Sequence, residues 1–120
     1  MKKIIYGIRL LLLSILFNIA FVSCESEKLP KPEVTDAKFS ENIIPIFEQK
    51  CNQCHGGDQS PDLSPSVAYL SLTGGYLNLE SPANSSFYQT ISGNGSMASK
   101  LNDQDRAYIL KWIELGALEN

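Results

Sequence analysis

The chain has 120 residues, room for one small domain. Thirteen Asp and Glu stand against ten Lys and Arg, and Lys2, Lys3 and Arg9 all precede the first acidic residue, so the chain beyond Cys24 carries a charge near −6. Nucleic-acid binding needs basic patches, and this balance excludes it.

The first residues follow the three-part grammar of a secretory signal. Met1, Lys2 and Lys3 make a positive start, an apolar run extends from Leu10 to Val22, and small Ser23 precedes Cys24. The competing reading is an uncleaved membrane span. A bilayer core takes about 20 apolar residues, and a run of that length must include Arg9 and Asn18. Phe21-Val22-Ser23-Cys24 resembles the lipobox of bacterial lipoproteins, with Phe21 in place of the usual leucine. The resemblance implies a signal peptide over residues 1–23, cleavage before Cys24, and lipidation of Cys24. Such a protein is exported to the periplasm or the outer face of a bacterial membrane and held there by its lipid. Several acyl chains give stable anchoring where one gives only marginal binding.

Residues 24–38 carry charge, Pro30 and Pro32 but no apolar periodicity, and read as the lipidated cysteine followed by a flexible linker. The globular part is expected over residues 39–120. Ile43, Ile44, Phe47 and Cys51 follow helical spacing. Pro45 lacks an N–H and belongs in the first turn of that helix, which favours Asn42 over Ser40 as its cap. The stretch from Gly56 to Gly95 is rich in Gly, Ser, Pro and Asn and reads as loops. Two short helices are expected within it, one from Val67 to Leu72 and one from Ser85 to Ile91, the latter capped by Asn84 or Ser85. The last element is the clearest. Asn102 and Asp105 have the spacing of a capping box, and Asp103 and Asp105 suit the positive end of a helix dipole. Tyr108, Ile109, Trp112, Ile113 and Leu115 form an apolar stripe, and Gly116 closes the helix. Few bulky apolar residues lie between Gly56 and Ser96, and a small domain short of core needs a staple.

Cys51-Asn52-Gln53-Cys54-His55 supplies one. Two thiols two residues apart can form thioethers with the two vinyl groups of one porphyrin, and the next residue, His55, is then held as the proximal iron ligand. An exported location fits, because c-type haem attachment occurs outside the bacterial cytoplasm. Two other readings use the same cysteines. A redox-active disulfide wants a βαβ pattern and a thiol activated at a helix start, whereas this pair ends a helix. Structural zinc wants a second pair of ligands, and the sequence has no second Cys or His cluster. His55 is the only histidine. Met1 leaves with the signal, so, lysines aside, Met97 is the expected distal ligand by elimination, approached through Gly93-Asn94-Gly95-Ser96; the competing reading is a core or surface methionine with no ligand role.

Residues 39–118 resemble a small class I-like bacterial cytochrome c. The resemblance rests on a helix entering CxxCH, on Gly56-Gly57 after it, on a loop-rich middle, on Met97, and on a last helix from Leu101 to Ala117 with Trp112 near its centre. It implies an all-α, loop-rich domain of about three to five short helices around one covalent haem c. Phe47 and Trp112 are expected to meet where the first and last helices cross. The family's methionine is commonly followed by proline, but Ala98 and Ser99 follow Met97 here. The expected function is electron transfer between redox partner proteins by a tethered monomer that is not an enzyme. Two alternatives are a haem-based ligand sensor with an open distal site and a haem subunit of a larger oxidoreductase.

Overall fold

The computed structural model describes residues Lys31–Asn120, which form one compact unit. The signal sequence and Cys24 lie outside the described residues. The unit is all-α, and no strand occurs among the described residues.

Five α-helices carry it: α1 (Ile44–Lys50), α2 (Asn52–His55), α3 (Ala68–Thr73), α4 (Ser86–Ile91) and α5 (Asp103–Glu114). A π-helical turn, Phe39–Ile43, leads directly into α1, and 3₁₀ turns occupy Pro82–Asn84 and Ala98–Lys100. Pro45 sits in the first turn of α1, as its missing N–H requires. The helical path nevertheless begins earlier than the sequence predicts, at Phe39, with Lys38 at the cap. Pro45 cannot donate to the carbonyl four residues back, and the chain upstream takes the wider winding, in which Ile43 and Ile44 donate to the carbonyls of Lys38 and Phe39. Asn42 therefore does not cap α1; its side chain accepts from the Lys38 N–H at 2.8 Å.

Packing also begins upstream of Phe39. Val34 lies against the core and Ala37 is buried within it, so the expected linker is in part a packed strap. Two apolar residues among charges and prolines leave no periodicity to read. The short helices fall where expected, shifted by a residue, but Ser85 does not cap α4. It stands at the N-cap position, buried, with its hydroxyl accepting from the Asn78 N–H at 2.8 Å.

α5 is closed at both ends as the sequence dictates. The Asn102 side chain accepts from the Asp105 N–H at 2.8 Å, and the Asp105 carboxylate accepts from the Asn102 N–H at 3.2 Å. At the other end Gly116, with φ of 95°, donates to Ile113, and Ala117 donates to Trp112. The buried face of α5 is Ala107, Ile109, Trp112 and Ile113, whereas Leu115 is exposed because it lies past the last turn.

Trp112 and Phe47 are both fully buried, but they take other partners. Trp112 packs on Phe39, ring centres 5.1 Å apart, and Phe47 meets Phe87 edge-on at 5.8 Å. The last residues fold back on the first helical turn: Trp112 Nε1 donates to the Leu118 carbonyl, while Ser40 and Phe39 donate to Asn120. These ring pairs fix the π-helical turn against α5 and α1 against α4. They leave α2, α4 and the loop around Met97 facing a cavity.

Candidate functional site

The cavity has a volume of about 660 Å³, within the range of small-molecule and cofactor sites. Cys51, Cys54, His55 and Met97 all line it. Leu63, Phe87, Ile91 and Leu101 give it apolar walls, and each is otherwise buried in the core. Neither Phe47 nor Trp112 reaches it.

The α1–α2 junction places the two thiols. Cys51 closes α1 by donating to the Phe47 carbonyl, and its own carbonyl accepts from both Cys54 and His55. One tight turn thus brings Cys51, Cys54 and His55 to the same wall. The two thiols are free, Cys51 half-buried and Cys54 exposed. Burial pushes the Cys51 thiol up to about 11, with a further push from the Asp105 carboxylate. A thiol held protonated is the reverse of what a redox-active pair requires. A single-ion site is not assembled either: among the described residues no three His, Cys, Asp or Glu side chains gather where they could hold a metal. Cys51, Cys54 and His55 share a wall without converging on a point, which suits a large flat group better than an ion.

His55 is held by the loop that follows it. Its Nδ1 lies 3.0 Å from the Pro61 carbonyl oxygen. A carbonyl can only accept, so Nδ1 carries the proton in this bond, and in the neutral ring Nε2 keeps the lone pair. A second tie is made two residues on, where the Leu63 N–H donates to the His55 carbonyl at 2.7 Å. Between them Asp62 fixes the loop. Its carboxylate accepts from the Ser64 hydroxyl at 2.6 Å and the Ser64 N–H at 2.9 Å, which together hold the Asp62 carboxyl below its usual range. Residues 61–64 therefore set both the tautomer and the orientation of the ring, the two properties a histidine ligand needs fixed. The sequence gives no sign of this, because the acceptor is a backbone atom.

Met97 is delivered by the segment after α4. Its N–H donates to the Thr90 carbonyl at 2.9 Å, and its own carbonyl accepts from Lys100. The glycine-bearing approach proves tightly packed. A Cβ on Gly95 would stand 2.2 Å from the Gln89 carbonyl oxygen and 2.3 Å from that of Thr90. Gly95 is required for close contact with the end of α4, and through that contact it sets where Met97 emerges. Met97 keeps 37% of its surface exposed, high for an apolar residue on a cavity wall.

The residues fit a covalently held haem on four counts: a cavity of suitable size, two free thiols in one turn, a histidine with its metal-binding nitrogen left free, and a thioether on the same cavity. No family model, curated protein or solved structure matches the chain.

Proposed function

We propose that the protein is an electron-transfer protein that carries one haem c, attached through Cys51 and Cys54 and ligated by His55 and Met97. The observation that carries the reading is the His55–Pro61 bond in a cavity shared with both thiols and the only internal methionine. When bound, the haem supplies a one-electron Fe(III)/Fe(II) couple. The chain's own residues do the rest. Pro61 holds a proton at Nδ1, so His55 offers Nε2 as a donor in one tautomer and one orientation. Met97 offers a soft thioether, a weak donor that favours Fe(II) and raises the potential relative to a second histidine. Leu63, Phe87, Ile91 and Leu101 would face the haem with apolar surface, which disfavours the more charged oxidised state.

With His55 and Met97 both committed to holding the haem, the chain would leave it no open position for a substrate, so the protein reads as a carrier that exchanges electrons with redox partners. The signal-like N-terminus and the resemblance of residues 21–24 to a lipobox support a carrier outside the cytoplasm, tethered to a membrane through lipid on Cys24. The partial exposure of Met97 favours one second reading, a sensor domain in which Met97 is readily displaced and the distal position takes a small ligand.

Denaturation in acid and organic solvent tests the assignment, because thioether-bound haem stays with the polypeptide. Loss of all haem overturns it. Carbon monoxide added to the reduced protein at neutral pH separates the two readings: slow or no binding supports the carrier, and immediate binding supports the sensor.

A further inference from the structure

The segment that presents Met97 lacks the proline expected after it, and the fold supplies a restraint of another kind. Arg106, on α5, reaches back to this segment. Its Nη1 donates to the Ala98 carbonyl at 2.8 Å and to the Leu101 carbonyl at 2.6 Å. Its Nη2 donates to the Asp103 carboxylate at 2.5 Å. Nη1 has two protons, one for each carbonyl, so a single nitrogen closes both ends of the 3₁₀ turn Ala98–Lys100.

We propose that Arg106 is a positioning residue for Met97, a guanidinium clamp that holds the methionine loop at the iron; the role rests on the reading of Met97 as distal ligand. A 3₁₀ turn of three residues is marginal by itself. The Met97 segment is pinned on its upstream side by the bond from Met97 to Thr90 and by the close contact of Gly95 with α4. Downstream, the restraints are the buried Leu101 side chain and the hydrogen bonds from Arg106. Hydrogen bonds from a charged donor are about twice as strong as neutral ones. The guanidinium side chain is only 22% exposed, so these bonds are partly shielded from water. Asp103 is 78% exposed, and its ion pair contributes little beyond aiming the guanidinium. α5 is itself locked into the core by Trp112 and Ile113, so the clamp ties the loop to a rigid element. An iron–thioether bond is weak, and its persistence depends on the loop keeping the sulfur in place.

The test uses the full-length holoprotein and three variants: R106M, R106K and, as a control, I109V, a conservative core change on the same helix that leaves Arg106 and its hydrogen-bond partners in place. The readouts are the weak sulfur-to-iron charge-transfer band at the red end of the oxidised spectrum, the rate of carbon monoxide binding to the reduced protein, and hydrogen exchange at the Met97 and Lys100 amides. R106M is expected to keep its covalent haem but to weaken the band, quicken exchange at both amides, and bind carbon monoxide about tenfold faster, equivalent to ~1.4 kcal/mol. R106K, which keeps the charge but not the planar fork, is expected to fall between R106M and wild type. I109V is expected to match wild type in all three. The clamp is overturned by wild-type behaviour in R106M, or by equal effects in R106M and I109V. If R106M yields no folded holoprotein, a wild-type rate in R106K overturns it. A wild-type chain without covalent haem would instead overturn the parent reading, and the clamp's ligand role with it.

Discussion

A histidine bonded through Nδ1 to a carbonyl has one nitrogen left to give, and in this protein that nitrogen belongs to the residue following two free thiols. The thiols and the imidazole were legible as a motif. The bond that fixes the imidazole was not, since a carbonyl six residues on has no side-chain signature. Arg106 was equally hidden: on the sequence it is one more charge on a polar helix face, and only the return of the chain at Ala98 and Leu101 gives it two acceptors. Two predictions belong at this scale. Met97→Ala should abolish the red charge-transfer band, lower the reduction potential and open the iron to carbon monoxide, because it removes the soft donor that favours Fe(II). Redox titration and gas-binding spectra of the variant check this, and an unchanged potential counts against the ligand role. The second concerns Cys51 before haem attachment. In a haem-free chain with Cys54→Ala, alkylation of Cys51 should keep accelerating with pH up to about 11, because burial favours the neutral thiol. The sign for stability follows. The folded thiol keeps its proton where the unfolded one, near ~8.5, has lost it, so its contribution is complete below that pH and declines as pH rises toward 11. A rate that levels off near pH 8 would contradict the burial.

At the scale of elements, legibility followed how local the determinants are. α5 was readable end to end because its cap, its stripe and its closing glycine all lie within the helix and its flanks. Its cap gives a third prediction: Asn102→Ala should cost about 1 kcal/mol of stability in denaturant unfolding, the usual loss when an N-cap side chain is removed. The start of the first helix was misplaced, because the response of the backbone to Pro45 is a change of winding upstream of it. The partners of Phe47 and Trp112 were misassigned for a different reason. Ring pairing depends on where the strap before Phe39 and the tail after Gly116 deliver their residues, and neither has a periodic pattern. The α4–Met97 connection offers the sharpest test of element placement. Gly95→Ala should destabilise the fold strongly and displace Met97, because its methyl group would enter the space of two backbone oxygens, which cannot rotate away as a side chain can. A variant that keeps wild-type stability and the red band would show that the end of α4 is free to move.

The unit Lys31–Asn120 is short of apolar filling on one side. Its closed core gathers the π-helical turn, α1 and α5 around Phe39, Ile43, Phe47, Ile109, Trp112 and Ile113. Leu63, Phe87, Ile91 and Leu101 belong to the same core, yet they also border the 660 Å³ cavity. A domain of this size gains little from a core left open on one side. If the proposed haem is attached, its attachment and folding should be coupled, with the porphyrin as the missing filler and two thioethers as a staple between the end of α1 and α2. Replacing both Cys51 and Cys54 by Ala should therefore do more than remove colour. Burying a single large apolar side chain contributes roughly 1.5–3 kcal/mol. If the variant loses the equivalent of one such burial, its Tm should fall by about 10 °C, since ~1 kcal/mol shifts a domain of 60–100 residues by about 4–8 °C. Thermal unfolding followed by far-UV circular dichroism measures this directly on the wild-type holoprotein and the double variant. Equal Tm values would mean that the closed core is self-sufficient and that the cavity is only a binding surface. A fall confined to the helices that line the cavity, seen as fast hydrogen exchange in α4 with α5 still protected, would locate the coupling where the walls are apolar and unfilled.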